Sequence, residues 1–347
     1  MFSVTTHLNR SLALGKIIKN STRFLSNNVT NGIKNHQVRL AVRPIGLPTR
    51  ENWSFTEEPI ETLQSNDDGI IVKVTTISLD PAMRGWMNDA KSYIAPVGID
   101  EVMRAIGIGE VIESNNPAYT IGDRILGSVG VQQYSTIQNC KRGGVTKLDK
   151  GMGTDGQWLN VLGMPGMTGY FGLKDVGLAK EGETIVVSAA AGAVGQTVGQ
   201  LAKIYGLNVI GIAGGKEKCD WVVDTLGYDS CIDYKDTSSS VGRSIRKHAP
   251  NGVDIYFDNV GGEILDSVLG CINKKARIVI CGAISQYNNE KGATGPKNYL
   301  SLLVNRARME GMVVFDYQKD YPMAIQEMSS YIKDGKMVSK EHVVEGG

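Results

Sequence analysis

The chain lacks any apolar run of about 18 residues, which excludes a membrane-crossing helix of ordinary length. Aromatic residues are few, at 7%, and the five cysteines (Cys140, Cys219, Cys231, Cys271, Cys281) are scattered with no C-x-x-C spacing. An odd, dispersed set argues against a disulfide framework or a zinc ribbon and points to a reducing compartment. The four histidines, His7, His36, His248 and His342, are equally isolated. A zinc-dependent hydride enzyme needs clustered His, Cys and Glu ligands, so no metal is expected. Acidic residues are missing from residues 1–50, which carry eight Lys or Arg. Five of these fall within residues 1–34, and without them the formal charge drops from +1 to −4. The remainder of the chain therefore suggests neither a nucleic-acid nor an anionic-membrane partner.

The acid-free leader is rich in Ser and Thr and weakly amphipathic through Leu8, Leu12, Leu14 and Ile18. That is the composition of a mitochondrial transit peptide, with Arg23-Phe-Leu-Ser26 as a cleavage neighbourhood; the alternative is a disordered extension of a cytoplasmic protein. The whole chain, 347 residues with 41% hydrophobic content, is long enough for two cores.

The most informative stretch is Thr184-Ile-Val-Val-Ser-Ala-Ala-Ala-Gly-Ala-Val-Gly-Gln-Thr-Val-Gly199, an apolar β-branched run that breaks into small residues and resumes with helical periodicity. The positions of a dinucleotide fingerprint, G-x-G-x-x-G, fall on Ala190, Gly192 and Gly195, with alanine at the first. Gly192 permits close backbone approach to a pyrophosphate, Gly195 permits close packing of helix on strand, and the N–H groups of the helix start face the anion. A helix over 196–205 and a second apolar run over 207–213 complete a strand–helix–strand unit. A site for NAD places an acid at the end of that second strand. Here Ala213-Gly214-Gly215 leads into Lys216-Glu217-Lys218, so two lysines can meet a 2′-phosphate and NADP is the expected cofactor.

Around this unit the pattern changes. Residues 37–166 hold short β-like runs broken by Gly, Pro, Asn and Asp, the pattern of a small antiparallel barrel. A long helix is expected from Pro165 through Leu178 as a bridge. From 216 onward helices and strands alternate, including strands at 231–234, 253–258 and 277–281, which implies a doubly wound parallel sheet. Asp258-Asn259 and the run from Cys281 to Tyr287 each follow a strand directly and should line the ligand edge.

Six motifs stand in order along the chain: Asp80-Pro81-Ala-Met83-Arg84-Gly85, Gly163-Met-Pro-Gly-Met-Thr168, Ala190-Ala-Gly-Ala-Val-Gly195, Tyr256-Phe-Asp-Asn-Val-Gly-Gly262, Cys281-Gly-Ala-Ile-Ser285 and Met309-Glu-Gly311. With these the chain resembles the zinc-independent medium-chain dehydrogenase/reductases, and within them the prostaglandin reductases and alkenal double-bond reductases. The resemblance implies an α/β fold in which a Rossmann doubly wound parallel sheet is joined to a GroES-like β-barrel catalytic domain. The expected division is a leader over 1–34, the catalytic domain over 35–165 with 305–347 returning to it, and the NADP-binding domain over 166–304. A homodimer is also implied.

Carried onto this chain, the family pattern places the pyrophosphate on Gly192, Ala193, Val194 and Gly195, the 2′-phosphate on Lys218, and Tyr234 near the adenine ribose. Asn259, Cys281, Gly282, Ala283, Ile284, Ser285 and Tyr287 would follow the ribose and nicotinamide, and Met312, Val313 and Val314 would pair with the nicotinamide amide. Three departures stand out. Ala82 replaces a tyrosine common in the family, Val131 replaces a tryptophan, and the chain stops at Val344-Glu-Gly-Gly347 where relatives continue.

The resemblance implies NADPH-dependent reduction of the C=C bond of small-molecule α,β-unsaturated ketones and aldehydes. Tyr287 is the candidate catalytic residue, either stabilising the charge on the carbonyl oxygen or merely packing the cofactor loop. Two other readings are a quinone reductase of the same superfamily and a non-catalytic NADPH-binding protein. Cys281, directly after a buried strand, is expected to be a small core residue rather than a nucleophile, and Arg84 a structural arginine.

Overall fold

The computed structural model describes residues 4–8, 32–64, 68–149 and 151–346. The chain divides into two compact units. One gathers Val4–Pro44, Pro48–Asp155 and His342–Gly347; the other gathers Ile45–Leu47 and Gly156–Glu341. Apart from Val4–Leu8, the leader expected over 1–34 falls almost wholly outside the described residues. No described helix is long and apolar enough to cross a membrane.

The first unit is built from β1 (Val4–Leu8), β2 (Lys34–Leu40), β3 (Trp53–Pro59), β4 (Ile70–Leu79), α1 (Ala82–Trp86), β5 (Ile106–Ser114), β6 (Arg124–Ser128), β7 (Tyr134–Ile137) and β8 (Thr146–Lys147). The strands β4, β5, β6 and β8 are neighbours in one sheet, β7 and β1 also pair with β4, and β2 pairs with β3 separately. These pairings are antiparallel; a last strand, His342–Gly346, is parallel to β1. Two register shifts, between Ile71 and Val72 and between Val74 and Thr76, bend β4, the strand at which the pairings converge. Its Ile70, Val72 and Val74 are buried with Val111 and Ile125 in one cluster. The first motif turns the chain out of β4 into α1. There Arg84 donates to the Pro44 carbonyl at 3.3 Å and to Asn88 at 2.6 Å, the structural role expected of it.

The second unit opens with α2 (Asp155–Leu159) and α3 (Met164–Phe171). It continues through β9 (Thr184–Ser188), α4 (Ala193–Ile204), β10 (Asn208–Ala213), α5 (Lys216–Asp224), β11 (Ser230–Asp233), α6 (Val241–His248), β12 (Val253–Asp258), α7 (Gly262–Leu269), β13 (Ile272–Ile280), α8 (Leu300–Asn305), β14 (Arg308–Gly311) and α9 (Tyr321–Lys333). All six strands are parallel, in the order β11-β10-β9-β12-β13-β14. Ile185, Val186 and Val187 of β9 are fully buried, as a central parallel strand covered on both faces requires. After β9 the chain winds outward through β10 and β11, then crosses to the other side for β12, β13 and β14. The switch point therefore lies beside β9, the strand carrying the fingerprint.

Two expectations are corrected. The single helix through Leu178 ends as regular α-helix at Phe171; Gly172–Val176 form a wider turn, and Leu178 has a left-handed φ of 47°. There the Gly177 amide bonds the Gly172 carbonyl five residues back, and Arg277 and Arg308 take the carbonyls of Val176, Gly177 and Leu178. The return to the first unit, expected from 305, comes only at His342. Arg308–Gly311 is instead the sixth strand of the parallel sheet, in register with Arg277 to Ile280 of β13.

Candidate cofactor site

Because the six strands are parallel, the segments that follow them all emerge at one edge of the sheet. In spatial order these are Tyr234 after β11, the Gly214–Lys218 stretch after β10, the fingerprint turn after β9, Asn259 after β12, Cys281 to Tyr287 after β13, and Met312 to Val314 after β14. Every residue expected to touch the cofactor thus lies along this edge.

The fingerprint turn shows why its residues are small. Gly192 is the N-cap of α4 with extended backbone, and its amide bonds the Ala189 carbonyl at 2.8 Å. Ala193 and Val194 are half-buried at the start of the helix, where its first amide groups are presented to an anion. A Cβ on Gly195 would come within 2.3 Å of the Ala189 carbonyl oxygen and 2.7 Å of Ala190 Cα, both backbone atoms that cannot swing aside. Alanine at the first fingerprint position is accommodated by a partner glycine: a Cβ on Gly211 of β10 would lie 2.9 Å from the Ala190 methyl. Behind the helix, buried Tyr228 bonds the Gly195 carbonyl at 2.7 Å and fills the space a side chain on Gly199 would need. A phosphate-sized approach to the helix start is built into this turn, so the site fits a dinucleotide.

At the β10 edge, the two lysines part ways. Lys216 is exposed and paired with Asp220 at 2.6 Å, whereas Lys218 is half-buried. The Tyr234 ring lies over Gly214, where a Cβ would meet it at 2.8 Å. Asp233, a carboxylate at this edge, accepts the Gly215 amide at 2.8 Å and the Lys235 amide at 2.9 Å, so it caps the loop.

On the other side of the switch, Asp258 is buried and its Oδ1 accepts from the Val260 amide (2.9 Å), the Gly261 amide (2.8 Å), the Tyr256 hydroxyl (2.8 Å) and the Ser188 hydroxyl (3.2 Å). Its Oδ2 has no hydrogen-bond partner. Burial raises its pKa above the ordinary carboxylate value against the pull of these donors. Asn259 is tied to β9 by its amide to Ser188 Oγ (3.0 Å) and its side chain to the Ser188 carbonyl (2.8 Å). Burial, followed by the charge of Asp258, pushes the Cys281 thiol up to about 12. At that value the thiol is protonated at neutral pH, and the side chain is half-buried rather than in the core.

The Cys281 to Tyr287 loop folds back on itself. Amides of Cys281 and Gly282 bond the Asp258 carbonyl, those of Ile284 and Ser285 bond the carbonyls of Asn259 and Val260, and Ser285 Oγ donates to Val260 at 2.6 Å. Tyr287 Oη accepts the Ala283 amide at 3.2 Å, and a Cβ on Gly282 would lie 2.8 Å from that oxygen. Last along the edge, the Met312 amide bonds the Ile280 carbonyl at 3.2 Å, and buried Val314 gives its carbonyl to the Tyr321 hydroxyl at 3.0 Å. Among the described residues no group of three or more His, Cys, Asp or Glu could hold a metal ion.

Known proteins match this arrangement along nearly the whole chain. A family model described as the N-terminal domain of oxidoreductase matches residues 36–145, and one described as zinc-binding dehydrogenase matches 193–330. The NADPH-dependent curcumin reductase of Escherichia coli (strain K12) is 38% identical over 318 residues, 90% of each chain. The chain belongs to the zinc-independent medium-chain dehydrogenase/reductase superfamily. Another relative of this superfamily is the NADP(+)-dependent 2-alkenal reductase of Nicotiana tabacum, 38% identical over 90% of this chain and 91% of its own. The crystal structure of CurA from Vibrio vulnificus in complex with NADPH is 42% identical, covers 90% of this chain and 92% of that one, and superposes with a TM-score of 0.83. This medium-chain reductase is an NADP-dependent oxidoreductase.

Sequence reasoning missed several residues that shape the edge. The clearest signal passed over was Gly211, an isolated glycine inside a strand, which marks close approach of another backbone. Gln196 and Gln200, buried on α4, gave no signal at all, because glutamine on a helix ordinarily reads as solvent-facing. Gln200 exchanges hydrogen bonds with both the amide (2.7 Å) and the carbonyl (2.9 Å) of Val338, and Gln196 does the same with Lys340 at 3.1 and 3.4 Å. The two amides act as a strand edge and fasten the last stretch of this unit to the fingerprint helix.

Proposed function

We propose that the chain reduces the C=C bond of α,β-unsaturated ketones and aldehydes with NADPH. The observation that carries this reading is the Tyr287 hydroxyl, held at the cofactor edge by the Ala283 amide. Reduction at the β-carbon leaves negative charge on the carbonyl oxygen, and something in the site must stabilise it. Because the hydroxyl accepts one hydrogen bond, its O–H becomes a better donor in turn. Tyr287 then donates to the carbonyl oxygen, and the α-carbon takes its proton from Tyr287 or from water. Gly282 leaves the hydroxyl room, and the loop bonds to Asn259 and Val260 fix its height. When bound, NADPH supplies the hydride. A 2-alkenal is by its name an aldehyde conjugated to C=C, so the tobacco relative supports this substrate class.

The test follows NADPH absorbance after addition of a medium-chain alkenal, with NADH alongside. Rapid oxidation of NADPH, and much slower oxidation of NADH, is expected; the difference reads the Lys218 end of the site, where a charge-assisted contact is worth about 1.5–3 kcal/mol. Tyr287→Phe should lower kcat at least about tenfold while KM for NADPH holds. Unchanged turnover would reduce Tyr287 to loop packing.

The same reading includes a homodimer. In the parallel sheet β14 is an edge strand, and α8 just before it exposes Leu300, Leu303 and Val304 at 57%, 75% and 72%. A second copy related by a twofold axis covers an edge and an apolar helix face of this kind at once. Leu303→Glu should shift the protein from dimer to monomer in analytical ultracentrifugation; a monomeric parent chain would contradict the reading.

A further inference from the structure

The wide turn at Gly172–Val176 adjoins the last strand of the cofactor edge at both of the strand's ends. At its start, Gly172 has no side chain, and the space is taken by Met312 Sδ and by Cε2 and Cζ of Phe257, which would lie 2.7 to 2.8 Å from a Cβ there. Phe257 is fully buried and immediately precedes Asp258 and Asn259. Met312 immediately follows β14, and its amide bonds Ile280 at the end of β13. One glycine therefore sits beneath the ends of β12 and β14, and through Met312 it reaches β13.

The turn is wide because the Gly177 amide bonds the Gly172 carbonyl, five residues back, at 2.8 Å. Carbonyls left over as the helix runs out are taken by two arginines of the sheet. Arg277 of β13 donates to Gly177 at 2.7 Å and to Leu178 at 3.2 Å, and Arg308 of β14 donates to Val176. β14 is thus fastened at its first residue by Arg308 and, just past its last, by the seat of Met312 against Gly172. Phe171 adds a third hold, stacking on Tyr317 at 4.7 Å between ring centres, in the segment that follows Val314. Short α-helix is the ordinary continuation of α3, and this departure from it coincides with the position where the backbone of residues 312–314 is set.

We propose that Gly172 is a positioning residue for the nicotinamide end of the cofactor. By omitting a side chain at the start of the wide turn, it sets the height of Met312 and hence of the backbone over 312–314. The proposal rests on the reading that this backbone pairs with the nicotinamide amide. It does not rest on the identity of the substrate to be reduced.

The experiment measures binding, with no enone present, to the full chain. NADPH and 2′,5′-ADP, which keeps the 2′-phosphate and lacks the nicotinamide, are titrated by calorimetry into the parent protein, Gly172→Ala, Met312→Ala and the double variant. Gly172→Ala should weaken NADPH about five- to tenfold and leave 2′,5′-ADP unchanged, since an added methyl must push Met312 or the Phe257 ring. In the double variant Sδ no longer opposes the methyl and only the Phe257 ring does, so NADPH should bind more tightly than to Gly172→Ala alone, a non-additive pair. Equal weakening of both ligands, or weakening of neither, overturns the proposal. If Gly172→Ala does not fold, Met312→Ala and the double variant decide: NADPH weakened selectively by the first and restored by the second supports it, and any other pattern refutes it. Absence of alkenal turnover by the parent chain would strike the proposed reaction and leave this result standing.

Discussion

Gly195→Ala is expected to weaken NADPH binding by more than about tenfold and to destabilise the parallel-sheet unit. A methyl placed 2.3 Å from the Ala189 carbonyl oxygen overlaps a backbone atom, and the second obstacle, Ala190 Cα at 2.7 Å, is also backbone. Relief requires α4 to move off its strand. That movement is opposed by Tyr228, which bonds the Gly195 carbonyl and is itself fully packed, and by Gln196 and Gln200, which hold α4 to residues 338–340. Overpacking of a tight core costs about 1–3 kcal/mol. Displacing the helix start also removes the amide groups that face the pyrophosphate, so KM for NADPH should rise by more than about tenfold. Thermal melting and NADPH titration together check this; a variant with parent-like KM would show that the turn is softer than its contacts imply.

Asp258→Ala should have the largest effect on stability. It strips one acceptor oxygen from two backbone amides and two hydroxyls, all brought together at the end of β12. An unsatisfied buried donor costs about 1–3 kcal/mol, and several are left at once. Their sum approaches the whole stability of an ordinary domain, about 5–15 kcal/mol. Asp258→Asn keeps the Oδ1 acceptor for the same four donors and alters only the Oδ2 position, so it should be far milder. The pair also predicts a pH dependence. Burial raises this carboxyl's folded pKa, so its contribution to stability is fully present below the ordinary carboxylate value and declines as pH rises through the raised value. Urea unfolding from pH 4 upward should show that slope in the parent protein and lose it in Asp258→Asn. A parent curve without it would mean that the hydrogen bonds to Oδ1 outweigh burial.

The loops after β12 and β13 connect these two predictions to function. Asp258 sets the conformation of Val260 and Gly261, the carbonyls of Asp258, Asn259 and Val260 receive the amides of the Cys281 to Tyr287 loop, and that loop positions the Tyr287 hydroxyl. A substitution at Asp258 that still folds should therefore lower kcat as well as stability.

The sequence by itself determined the parallel sheet and its ligand edge. Runs such as 184–188 and 253–258 are short, rich in β-branched or aromatic residues and followed by small or polar ones, which is a local signal of buried strand. The glycines at 192 and 195 likewise declared a tight turn before a helix. The roles of Lys218 and Tyr287 came from the family resemblance, and each lies on a segment that leaves a strand at the edge where parallel topology gathers such segments. Tertiary structure alone decided the rest. Alanine at 190 is explained only by Gly211 on the neighbouring strand, and the end of α3 at Phe171 only by arginines of β13 and β14 that take the carbonyls beyond it. The sixth strand at Arg308–Gly311 and the buried glutamines of α4 depend on partners more than a hundred residues away or on an edge that exists only once the sheet has formed. Local pattern fixes what a segment can become. Whether a particular side chain is absent, buried or hydrogen-bonded is settled by which distant atom arrives against it.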